Sequence, residues 1–160
     1  AETGDYRVNL VDLIPFDPDH VLKIHLRDDE ATSPQYRTMM HEWAKFCHAS
    51  GPSFTAVEGD LILCCGGLKV IKEGVAEAWM VLSKEGTDRK YLRAMYFQVS
   101  THMKELMRDL NLHRVQAWVR EDFHAGARYA EVLGFKKEGV MRKYDIDKTD
   151  CFLYSFVEGD

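Results

Sequence analysis

From Tyr91 to Leu110 the apolar side chains Leu92, Met95, Tyr96, Val99, Met103, Leu106, Met107 and Leu110 recur at three- and four-residue intervals without a break. That period is helical, so the stretch predicts one long helix with a single buried face. The segments around it read differently. "SFTAVE", "DLILCCGGLKVI" and "VAEAWMVLS" are strand-like and separated by "GD" and "KEG", which predicts an antiparallel meander. Beyond the helix, "HRVQAWV" alternates as a strand and "DFHAGARYAEVL" predicts a shorter helix from near Asp122. "EGVMRKYDI" and "CFLYSFV" then form two strands joined by "DKTD".

At the other end, "YRVNLVDLI" places Val8, Leu10 and Leu13 in a first strand, and "FDPDHVLKI" offers Asp17 as helix N-cap with Pro18 at the first helical position. Ser33 and Pro34 repeat the device. The stripe Tyr36, Met39, Met40, Trp43, Phe46 and Cys47 predicts the buried face of a second helix. Gly66 and Gly67 interrupt a strand, where a β-bulge is expected and close approach of another group is the alternative. The order is therefore β-α-α-β-β-β-α-β-α-β-β, an α/β chain of the α+β type. With 160 residues and 46% apolar content, residues 1–160 read as one domain. The opening "AETG" is set aside as a tag or processing remnant.

Bulk properties remove several function classes. The chain carries a formal charge of −5, which repels phosphate backbones, so nucleic acid is not an expected partner. No apolar run approaches the roughly 20 residues of a membrane helix, so no membrane association is expected. Cys47, Cys64, Cys65 and Cys151 lack CxxC spacing, which suggests neither zinc nor disulfides and fits a reducing, cytoplasmic setting. Cys64 and Cys65, adjacent on a strand, read as core rather than as nucleophiles. The histidines show no ligand spacing, so no metal is expected.

Chemistry concentrates at "WMVLSKEGTDRKYLRAMYF". Lys84, Arg89, Lys90 and Arg93 gather where the long helix begins, although the helix dipole is already positive there. An anion would relieve that conflict, because free N–H groups at a helix start bind phosphate. A solvated loop with incidental charge is the bland alternative.

The element order, this strand-loop-helix and the later "ARYAEVLGFKKEGVMRKY" together resemble the GNAT superfamily of acyl-CoA-dependent N-acetyltransferases, from Tyr6 to Val157. The resemblance implies a central mixed, mostly antiparallel sheet of about six to seven strands with helices on both faces. It places a pyrophosphate-binding pattern, Q/R-x-x-G-x-G/A, on Arg89, Lys90, Tyr91, Leu92, Arg93 and Ala94, with leucine in place of the central glycine. A second pattern, N-x-x-A/S-x-R before L-G-F, falls on Phe123, Gly126 and Arg128, with phenylalanine at the asparagine position. Leu133, Gly134, Phe135, Glu138, Gly139 and Arg142 are in register.

On that resemblance acetyl-CoA is the co-substrate, and the backbone of Met80, Val81 and Leu82 bonds the pantetheine arm and stabilises the oxyanion. Glu77 is the candidate general base, with an exposed strand residue as the plain alternative. The family's usual tyrosine acid corresponds to Ala130, so neighbouring Tyr129 takes the role, or Tyr144 does, or no acid exists; core packing is the competing reading for Tyr129. The acceptor is an amine, protein or small molecule, that the residues do not identify. A lysine of pKa about 10.4 must lose a proton at a cost near 4.6 kcal/mol at pH 7, against about 1 kcal/mol for an α-amine. The compact chain, its "GG" strand and its glycine-poor basic loop also resemble acetyltransferase-like proteins of tailed bacteriophages, so location is host cytoplasm or virion. The alternative function is a degenerate GNAT-fold binding or structural protein, such as a virion component. The strand "CFLYSFV", taken as exposed, suggests a homodimer.

Overall fold

The computed structural model describes residues 11–27 and 34–160. Val8, Leu10 and Ser33, assigned above to a strand and a cap, lie outside them. Among the described residues seven strands form one sheet: β1 (Asp12–Pro15), β2 (Ser53–Glu58), β3 (Leu61–Lys72), β4 (Val75–Leu82), β5 (Arg114–Arg120), β6 (Lys136–Met141) and β7 (Cys151–Val157). Their spatial order is β1-β2-β3-β4-β5-β7-β6. Every neighbouring pair is antiparallel except β4 and β5. A parallel pair needs a long crossover, and α3 (Arg89–Asp109) supplies it. The other helices are α1 (His20–Lys23), α2 (Pro34–Ala49) and α4 (His124–Val132).

The core lies on both sides of the sheet. Along α3 the buried residues Tyr91, Met95, Val99, Met103 and Met107 fall every fourth position, giving one apolar seam against the sheet. With Ala76, Leu82, Val115, Ala130, Phe135 and Tyr154 they fill the α3/α4 face. On the opposite face Trp79 and Cys65 pack with Met40, Ala44 and Cys47 of α2 and Val21 of α1.

Four sequence expectations change. Gly66 and Gly67 form no bulge: both pair in register with β2 and β4, and the register shifts fall at Ala56/Val57 and Val70/Lys72. Close approach explains them instead, since a Cβ at Gly67 would lie 2.5 Å from the Pro52 carbonyl oxygen and one at Gly66 3.0 Å from the Phe54 ring. The α2 stripe is narrower than its spacing suggested: Met39 and Phe46 are exposed, at 48% and 63%, because contact runs through Met40, Ala44 and Cys47. Asp17 is not the N-cap of α1; that position is Asp19, whose N–H donates to Asp17 Oδ1 at 2.9 Å. Finally, "CFLYSFV" is not an exposed edge. As β7 it pairs with β5 on one side and β6 on the other, so the premise for pairing across a dimer there is gone.

Glu138 fastens β6 to β5 across β7. It accepts two hydrogen bonds from Arg114, at 2.7 and 2.9 Å, and one from Ser155 Oγ. Arg114 first, then Ser155, hold its carboxyl down at about 2. A depressed carboxyl contributes stability that is full above its unfolded pKa of about 4.3 and fades as pH falls toward the folded value. Urea midpoints measured between about pH 5 and 2 should therefore fall more steeply for the native protein than for Glu138→Gln, the two converging at the acid end.

Candidate active site

β4 and β5 pair only through Val75↔Arg114, Ala76↔Val115 and Glu77↔Gln116. Beyond Glu77 the two strands part, although β4 runs on to Leu82 and β5 to Arg120. The result is a fork whose β4 side, from Ala78 onward, has no strand partner toward β5 among the described residues. Met80 packs toward α3 and Val81 toward α2, while Leu82 is buried and its carbonyl accepts from Arg27 Nη1 at 3.4 Å.

From the tip of β4 a 3₁₀ turn, Glu85–Thr87, leads into α3. Asp88 is the N-cap: its Oδ1 accepts from Lys90 N–H at 2.9 Å, and its carbonyl accepts from Tyr91 and Leu92. One part of the charge conflict read at this helix start is thus met inside the chain, by an acid directly before Arg89. The basic side chains then divide. Lys90 lies over the Tyr91 ring, Nζ 4.7 Å from its centre; Tyr91 is core and Ala94 is half-buried against it. Arg89, Leu92 and Arg93 instead meet Tyr96, Arg128, Tyr129 and Val132 around a cavity of about 250 Å³ between α3 and α4. Among the described residues Arg89, Arg93 and Arg128 form no ion pair or side-chain hydrogen bond, whereas Arg114 and Arg120 are fully engaged with carboxylates.

Tyr129 forms part of this wall. It is 6% exposed and its hydroxyl has no hydrogen-bond partner. Burial, then the neighbouring Cys64, push its pKa upward, so the phenol keeps its proton. The expected core packing is what the structure shows, and the same ring borders the cavity. Phe123 stands at the N-cap of α4 without a capping bond; its ring lies 3.8 Å beneath the Arg27 guanidinium. A Cβ at Gly126 would meet that ring at 2.5 Å. The two departures from the second family pattern are therefore one feature: the aromatic ring requires the glycine.

Glu77 sits on the other face of the sheet, at the root of the fork. Its Oε1 accepts from Trp118 Nε1 at 3.1 Å and lies 3.4 Å from Lys69 Nζ. Lys69 is its cross-strand partner on β3, and Trp118 packs edge-on against Tyr144 at 5.3 Å. The structure thus gathers Arg89, Leu92, Arg93, Arg128 and Tyr129 on one side of the fork and Glu77 on the opposite side. All four cysteines are buried and their thiols are raised by burial, which leaves no activated nucleophile among them.

No family model and no curated protein sequence matches this chain. Solved structures do. A ribosomal-protein-S5-alanine acetyltransferase from Vibrio fischeri superposes with a TM-score of 0.68 at 17% identity, over 97% of each chain. A GNAT-family acetyltransferase from Bacillus anthracis gives 0.67 at 14% identity, over 94% of this chain and 96% of that one. The chain has the GNAT acetyltransferase fold. A Vibrio cholerae spermidine N-acetyltransferase, solved with CoA and spermine, shares it with a TM-score of 0.69 at 14% identity, covering 94% and 97%.

Sequence reasoning missed Trp118, Lys69, Tyr96 and Val132. The fold brings Trp118 and Lys69 to Glu77 through strand register, and Tyr96 and Val132 to the cavity through helix contact, which no local spacing reports. Asp88 was legible, since an acid preceding an apolar-periodic run is an N-cap signal.

Proposed function

We propose that the protein is an acyl-CoA-dependent N-acyltransferase that moves an acetyl group from acetyl-CoA to an amine by direct attack. The observation that carries this is the pairing of a forked parallel strand pair with a cavity walled by three arginines free of internal ion pairs. Bringing like charges together is unfavourable unless an anion joins them, and guanidinium forks suit phosphate oxygens. The buried Tyr129 hydroxyl supports the same fit, since an orphaned buried donor costs roughly 1–3 kcal/mol that a ligand would recover. Arg89, Arg93 and Arg128 would hold the phosphates, and Leu92, Tyr96 and Val132 would flank the arm. When bound, acetyl-CoA supplies an activated acetyl thioester.

The chain's own residues do the rest. The unpartnered edge of β4 at Met80 to Leu82 offers backbone groups to the arm, once Arg27 yields the Leu82 carbonyl. Glu77, across the fork, receives the proton that the amine must lose. Tyr129, held protonated by burial, returns a proton to the departing sulfur.

Calorimetric titration with CoA tests the reading. The native protein should bind in the micromolar range, roughly −8 kcal/mol. Arg89→Ala with Arg93→Ala should weaken binding about 100-fold, two exposed charge-assisted contacts at about 1.5 kcal/mol each. Absence of heat with the native protein would refute it. A second reading, a GNAT-fold binder without turnover, is favoured by Leu92, which stands where the family pattern has glycine, and by Asp88, whose side chain already caps the helix start. CoA binding with no transfer to any amine, from an intact Glu77, would favour that second reading.

A further inference from the structure

Glu77, on β4, is flanked by two neighbouring strands, a loop and a helix. Lys69 approaches from β3, Trp118 from β5, and Tyr144 from the loop after β6, where its phenol is raised by burial and then by Glu77; the Cys47 thiol of α2 also feels the carboxylate. Both polar contacts are made to the same oxygen, Oε1. The side chain is only 18% exposed, and the indole that binds it is itself braced by the Tyr144 ring at 5.3 Å. Tyr144 in turn belongs to a loop pinned to β5: Arg120 bonds Asp145 at 2.7 Å and Thr149 at 3.1 Å, and pairs with Asp147 at 2.9 Å.

We propose that Trp118 is a positioning residue for Glu77: its indole N–H fixes Oε1 and leaves Oε2 as the oxygen that receives the acceptor amine's proton. The inference rests on the acyltransferase reading for its meaning in catalysis. A strand residue with a merely structural carboxylate has no need of a half-buried aromatic donor on a strand that is already parting from its own. A carboxylate base that must meet an incoming amine in one orientation does, because a rotating side chain loses the near-attack geometry.

The test uses Trp118→Phe, which keeps an aromatic ring against Tyr144 and removes the donor. The chain has three tryptophans, hence three indole N–H resonances, and the variant assigns one. In the native protein that resonance should carry the downfield shift of a donor to a carboxylate, and Glu77→Gln should move it upfield, since a neutral amide oxygen is the weaker acceptor. In an acetyl-transfer assay with a peptide α-amine as probe, Trp118→Phe should lower kcat by roughly 10- to 100-fold while CoA affinity stays within twofold. Lys69→Met should lower it in the same way. An indole signal that ignores Glu77→Gln overturns the assignment. So does an unchanged kcat in Trp118→Phe. Failure of the acyltransferase reading is recorded separately, as absent CoA binding, and leaves the indole shift to decide the contact.

Discussion

Replacing Glu77 by glutamine is expected to lower the turnover of acetyl transfer by roughly 100- to 10,000-fold, the range a positioned general base supplies. The substitution is nearly isosteric and keeps an acceptor oxygen for Trp118 and Lys69, so the fork should stay as it is. It removes the capacity to take a proton. CoA affinity should be unchanged, because Glu77 and the arginine-lined cavity lie on opposite faces of the sheet. A fall in kcat with an unaltered dissociation constant for CoA is therefore the diagnostic pair. An acceptor that is more easily deprotonated, such as an α-amine near pKa 7.8, should lose less than a lysine-type amine, which depends more on the base. Equal turnover by the native and Glu77→Gln proteins would remove Glu77 from the chemistry.

The second large effect concerns the joint between β4 and α3. Gly86 is buried in the 3₁₀ turn, its N–H donating to Ser83 Oγ at 2.8 Å. A Cβ there would lie 2.1 Å from the Leu63 carbonyl oxygen. That oxygen belongs to β3 and already accepts from Ser83 N–H at 2.9 Å, so neither partner can move away without breaking the joint. Gly86→Ala should cost roughly 3 kcal/mol, at the upper end for overpacking, and lower Tm by about 6–12 °C. It should also weaken CoA binding, because the turn sets where Arg89 and Arg93 begin. Gly139→Ala is the matched control: a Cβ at that position meets nothing within 4 Å, and no loss of stability is expected. Two thermal melts compare them directly.

How much of this was readable in the chain depends on the range of the interaction concerned. The seam of α3 and the bounds of β2 and β7 follow from the period of apolar residues over a few turns, which is local. The order of elements and the basic start of α3 carried the resemblance to the GNAT fold. The exceptions are tertiary. Gly66 and Gly67 look like a bulge until Phe54 and Pro52 are seen against them. Phe123 and Gly126 look like two independent losses of a pattern until the ring is seen to fill the place of a Cβ. Exposure of Met39 and Phe46 reflects where the sheet meets α2, which the helical period alone does not specify. Trp118 was invisible as a partner of Glu77 because the two lie 41 positions apart in the chain, on strands that meet in a register that sequence does not announce. Tyr129 was legible only as far as its burial, which helical spacing reports; that its hydroxyl is left without a partner among the described residues is a tertiary fact.

The central claim, that the fork between β4 and β5 is an acyl-CoA site, is tested most directly by a crystal structure of the protein grown with CoA. The account predicts the sulfur end of the ligand between β4 and β5 beyond Glu77, its arm along Met80 to Leu82, and its phosphates against Arg89, Arg93 and Arg128. A ligand bound elsewhere, or a fork still spanned by Arg27 at saturating CoA, would contradict it.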